Sequence, residues 1–134
     1  MKKNLLAYTS LCYLTNAIVA LYLGYYLYAF LFFILTLTSV VHHSFYHTYT
    51  GLVDRMAVLS IILYGAYVMY KKKEVGELLL YGLIVAAFLY GVWAYSYGFR
   101  CKRYCFDPDR SVSEWYHATL HVISSLGHHL IMLL

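Results

Sequence analysis

The stretch YLYAFLFFILTLTSVVHHSFYH, residues 26–47, contains no Asp, Glu, Lys or Arg, and its first half is an unbroken apolar and aromatic run. A bilayer core of about 30 Å is crossed by about 20 such residues wound into a helix. The stretch therefore predicts a membrane-crossing helix whose last turns become polar. Four more runs of comparable length flank it, at 5–23, 52–70, 78–97 and 115–134. Gly24 and Gly51 mark breaks between the first three, and 98–113 is the only connection long enough to be a true loop. The reading is an all-α, polytopic membrane helical bundle of about five transmembrane helices, with residues 1–134 forming a single transmembrane domain.

Composition requires the same class. Hydrophobic residues make up 63% of the chain and charged residues 12%. A soluble domain dresses its surface with about 25% charged residues, so a soluble globular enzyme is excluded. A disordered chain is excluded too, because disorder needs low hydrophobicity. The single proline, Pro108, leaves the apolar runs free to be continuous helices. Cys12, Cys101 and Cys105 are too few for a disulfide framework. The first run follows Lys2 and Lys3 but exceeds a signal-peptide apolar core and has no small-residue cleavage site behind it, so it is read as a span.

The net charge of +4 is modest and gives no reason to expect nucleic acid. Basic residues instead cluster at the ends of the runs, where they orient a membrane protein or meet anionic lipid. Lys2, Lys3, Arg100, Lys102, Arg103 and Arg110 fall on one face of the membrane, with Arg55 at its margin, and Lys71, Lys72 and Lys73 fall on the other. The excess of positive charge places the first face, with the N-terminus, in the cytoplasm.

Ionisable residues inside membrane spans are costly and mark candidate function. They converge here. The second run closes with Ser39-Val-Val-His42-His43-Ser44-Phe-Tyr-His47, the third opens with Asp54-Arg55, and the fifth opens with His117-Ala-Thr-Leu-His121. All lie at the cytoplasmic end of their spans. His117 and His121, four residues apart, share a helix face, as do Ser39 and His43. Two imidazoles at this spacing can hold one metal ion, and a third from another helix leaves a fourth zinc position open for water. Such a site supplies hydroxide near neutral pH. Asp54 is the candidate general base and Ser39 a candidate hydrogen-bonding partner for ligand, substrate or carboxylate. His47 shares the face of His43 and is a rival third ligand. His42, His47, His128 and His129 read as interfacial residues, Arg55 as snorkelling to the headgroups, Asn16 as a contact to a neighbouring helix, and Ala87 with Gly91 as a close helix-packing pair.

Ser39-Val-Val-His42-His43, then Asp54, then His117-Ala-Thr-Leu-His121-Val-Ile-Ser-Ser-Leu-Gly127 together resemble the CREST superfamily of membrane proteins. That superfamily includes the alkaline ceramidases and the progestin and adipoQ receptors. The likeness covers about residues 36–65 and 113–130. It implies zinc held by His43, His117 and His121, with Ser39 and Asp54 supporting, and hydrolysis of a lipid amide or ester. The alternative is a zinc-containing receptor or regulatory membrane protein without catalysis. The superfamily's core has seven spans, so a five-span chain is a shortened form, with a small cavity open to the bilayer or with a homo-oligomer completing the wall. Outside the likeness, a small transporter or helper bundle with incidental histidines is the remaining rival.

Overall fold

A computed structural model describes residues 4–73 and 77–134. Lys2 and Lys3, which enter the charge count above, lie outside the described residues. The chain is all-α: α1 Leu5–Ser10, α2 Cys12–Tyr22, α3 Tyr26–Phe45, α4 Thr48–Lys71, α5 Leu78–Cys101 and α6 Arg110–Leu133, with a 3-10 turn at Tyr104–Phe106 between the last two. No strand occurs among the described residues.

The first span is one apolar stretch, Leu5–Tyr22, interrupted at Leu11. The cause is local. The hydroxyls of Thr9 and Ser10 both turn back to donate to the Leu6 carbonyl, at 3.2 and 2.7 Å, and such back-bonding bends helices. Leu11 N–H then donates to Tyr8 O and Leu14 N–H to Leu11 O, both tight i→i−3 bonds. The span ends in a Schellman motif around Gly24, whose φ of +81° a residue with a side chain rarely adopts. Tyr25 N–H reaches Ala20 O at 2.8 Å and Gly24 N–H reaches Leu21 O at 3.2 Å.

Four helix ends depart from the sequence reading by two residues or more. The second span stops at Phe45 rather than at residue 47, because Tyr46 enters the left-handed region (φ 49°). His47 then stands outside the helix and caps α4, its Nδ1 accepting from Tyr49 N–H at 3.4 Å. Consequently α4 begins at Thr48, four residues before the predicted start, with Gly51 inside it and packed against the His42 ring. The 98–113 loop contracts to residues 102–109, since α5 continues to Cys101 and Asp109 caps α6 by accepting from Ser111 N–H at 2.8 Å.

The bundle is apolar outside and partly polar inside. Leu21, Phe30, Leu63, Leu78, Leu89 and Leu126 are among many large apolar side chains left exposed, far more than a soluble monomer tolerates. Tyr13, Tyr28, Phe32, Leu35, Ile61, Ile84 and Ile131 are buried beside Asn16, Ser39, His43, His121, Ser125 and His128. Four helical segments, Leu5–Tyr22, Tyr26–Phe45, Thr48–Lys71 and Leu78–Phe106, are long and apolar enough to cross a membrane. The fifth, α6, has the length, about 36 Å for its 24 residues, but carries its polar residues on the buried side. It is the central element, packing against α1, α2, α4 and α5 and meeting α3 through side chains, whereas α5 packs mainly on α6 and the 3-10 turn and reaches α4 through the Tyr81 hydroxyl, which donates to Met69 O at 3.0 Å.

Polar contacts fix α6 to its neighbours. Asn16 Nδ2 donates to Ser125 O at 2.9 Å, and its Oδ1 accepts from the Ser125 hydroxyl, so Asn16 makes the interhelical contact expected of it. Two of the interfacial assignments are corrected. His128 is buried, hydrogen-bonded through Nδ1 to the Tyr28 hydroxyl and ringed by Phe32 and Phe88. His129 is half-buried and bonds to Asn16. The packing pair is also different. A Cβ on Gly91 would meet nothing within 4 Å, whereas Gly127 of α6 is the residue that lies against Phe88 and Ala87.

Candidate metal centre

α3 and α6 bring three imidazoles together near one end of the bundle. His43 lies in the last turn of α3. His117 and His121 lie on successive turns of α6, on the face turned toward α1 and α3. Their ring centres form a nearly equilateral triangle, 4.9 Å from His43 to His117, 5.1 Å from His43 to His121 and 4.8 Å from His117 to His121. One ligand nitrogen from each lies within 4.8 Å of the other two. With metal–nitrogen bonds of about 2.0–2.1 Å and tetrahedral angles, the ring centres of neighbouring imidazole ligands stand about 5 Å apart. The triangle has that size.

His43 supplies a second test of fit. Both of its ring nitrogens are buried, and neither has a hydrogen-bond partner among the described residues. Leaving a buried polar group unpaired costs about 1–3 kcal/mol, and a metal ion bound to one of the two nitrogens removes that penalty for the nitrogen it binds. Three imidazoles without a thiolate or carboxylate suit zinc, copper, iron or nickel rather than magnesium or calcium. His43 and His121 are buried and His117 is half-buried, so access to the cluster is from the side of His117.

The other predicted residues flank the triangle without joining it. Asp54 lies in the second turn of α4, half-buried, its Oδ1 accepting from the Thr38 hydroxyl at 3.2 Å. Ser39 is buried one turn below His43 on α3, and its hydroxyl pairs with that of Ser10 at 2.8 Å. Because the Ser10 proton is given to Leu6 O, Ser39 donates to Ser10 and keeps only lone pairs for any other partner. Arg55 is exposed and makes no ion pair with Asp54 among the described residues. The rival ligand His47 is exposed and turned to its own helix cap. His42 is half-buried and bonds Thr50 at 3.2 Å.

Three neighbours of the cluster escape the sequence reading. Thr9 Oγ1 lies 3.0 Å from His121 Nδ1. Ser10 holds Ser39. Tyr13 is buried with its ring centre 5.6 Å from that of His121. The adjacent hydroxyls Thr9-Ser10 inside an apolar run were the available signal, since polar groups at membrane depth seek partners. Cys101 is exposed and Cys105 half-buried, both free thiols. No known protein family, curated protein or solved structure matches this chain.

Proposed function

We propose that this chain is a zinc-dependent integral membrane hydrolase of a lipid amide or ester, similar in kind to the ceramidases of the CREST superfamily. The observation that carries the reading is the closure of His43, His117 and His121, from two helices more than 70 residues apart in sequence, into a triangle of ligand size around an imidazole with no other partner among the described residues. A zinc ion bound there supplies a Lewis acid and acidifies a water toward neutral pH.

The chain's own groups account for the rest. Thr38 donates to one carboxylate oxygen of Asp54, which orients the group and leaves the other oxygen free to take a proton. Ser39, its own proton given to Ser10, offers an acceptor beside His43. The apolar exterior lets acyl chains approach sideways from the bilayer, and α5, packed mainly on α6 and the 3-10 turn, turns Leu79, Leu83, Leu89 and Val92 outward to lipid or to a second copy of the chain. The basic residues Arg100, Lys102, Arg103 and Arg110 sit at the same end of the bundle as the triangle, and by the positive-inside rule this supports a site facing the cytoplasm.

The test is elemental analysis of the detergent-purified protein, followed by turnover of a panel of labelled ceramides and lysolipids. The expected result is about one zinc per chain and release of free acyl chain from at least one substrate. His121→Ala is expected to release the metal. Asp54→Ala is expected to retain it and lose turnover by a factor on the order of 10²–10⁴, the range for a general base. A metal-free protein overturns the hydrolase and any zinc-receptor role together. A zinc-loaded protein inert on every lipid assigns it to receptor or regulatory function instead.

A further inference from the structure

Each metal-bound histidine has a second nitrogen, and what that nitrogen touches fixes the ring's tautomer and orientation. Within the triangle only His121 has such a contact among the described residues. Its Nδ1 lies 3.0 Å from Thr9 Oγ1, whereas both nitrogens of His43 are without a partner. A threonine hydroxyl has one proton and two lone pairs. Thr9 Oγ1 also lies 3.2 Å from the carbonyl of Leu6, which can only accept. The proton of Thr9 therefore has an acceptor on its own helix, and the oxygen is left to accept from His121. Ser10 repeats the arrangement one residue on, giving its proton to the same Leu6 carbonyl at 2.7 Å and accepting from Ser39. The bend at Leu11 follows from these two back-bonds, so the local distortion of the first span and the aim of its hydroxyls have one origin.

We propose that Thr9 is a positioning residue for the metal centre: it accepts from His121 Nδ1–H, holds that ring in the Nδ1-protonated tautomer and so presents Nε2 as the ligand atom. The inference rests on reading the triangle as a metal site. It assigns to α1, which supplies no ligand, the orientation of a ligand that the bundle buries.

Thr9→Val keeps the shape and removes the acceptor, while Thr9→Ser keeps the hydroxyl. Each full-length variant is purified in detergent and its zinc affinity measured by competition with a chromophoric chelator. Thr9→Val is expected to weaken zinc about 10- to 100-fold, the range for loss of such an outer contact, and Thr9→Ser is expected to bind within a few-fold of the parent. Histidine ¹⁵N shifts of the zinc-loaded parent are expected to report a protonated Nδ1 on His121. Equal affinity of Thr9→Val and parent overturns the role of Thr9 and leaves the metal site standing, as does a spectrum with Nε2 protonated. A parent that binds no zinc fails at the earlier step, which separates the two outcomes. A Thr9→Ser as weak as Thr9→Val overturns the proposal by assigning the loss to packing.

Discussion

His43 and His47 are one helical turn apart in sequence, yet only one of them belongs to the bundle interior. The difference is made by Tyr46, which takes a left-handed conformation, ends α3 and swings His47 out to cap α4. His43→Ala is accordingly expected to abolish stoichiometric metal binding, and His47→Ala to leave it intact with a stability loss of no more than about 1 kcal/mol from the weak cap; metal content and thermal melting of the two purified variants check both. The spacing of His117 and His121 made that half of the site legible, because a four-residue interval fixes a common face whatever the surroundings. The choice between His43 and His47 was not legible. It depends on where a helix stops, and here the stop is a non-glycine residue at positive φ that no turn signal in the sequence announces. The roles of Thr9 and Ser10 were hidden for a different reason: which faces of the first span meet α6 and α3 is decided by tertiary packing.

At the level of the helices, glycines separate close approach from mere permissiveness. A Cβ on Gly98 would stand 2.6 Å from the backbone carbonyl oxygen of Arg103, which folds back over the end of α5 as the loop enters the 3-10 turn. That neighbour is main chain and has little room to move. Gly98→Ala is expected to destabilise the protein by about 1–3 kcal/mol, the usual cost of overpacking, and to expose the loop to proteolysis. Gly82 is the counter-case, exposed in the interior of α5, where an added methyl group would meet nothing within 4 Å. Gly82→Ala is expected to stabilise by about 0.5–1 kcal/mol through helix propensity alone. Melting temperatures of both variants in one detergent decide the pair, and equal shifts would show that the Arg103 carbonyl does not constrain α5. Helix number and order were readable from apolar run length. The ends were not, because α4, α5 and α6 all extend past the apolar runs into residues held by His47, Gly98 and Asp109.

The whole molecule places its polar groups inside a sleeve of apolar side chains, and this inversion gives the site a sidedness that can be measured. The triangle lies where the C-terminus of α3 and the first turns of α6 meet, and the α5–α6 loop closes the same end: the Ser113 hydroxyl donates to Cys105 O at 2.7 Å and the Tyr104 ring packs on Tyr116, one residue before His117. Cys101, exposed in the last turn of α5, is therefore a reporter for the side of the membrane the histidines face. In a Cys105→Ser background, with Cys12 half-buried within the first span against α6 and out of reach of a charged reagent, a membrane-impermeant maleimide is expected to label Cys101 in inside-out vesicles and not in sealed right-side-out cells. A Cys101→Ser control should lose the label. Labelling from the outer side alone would reverse the orientation proposed from Arg100, Lys102, Arg103 and Arg110 and would move the proposed lipid substrate to the outer leaflet, while leaving the geometry of the three histidines untouched. The proposed sidedness and the proposed metal chemistry thus stand on separate residues: one on the charges of a loop, the other on rings that two helices hold in register.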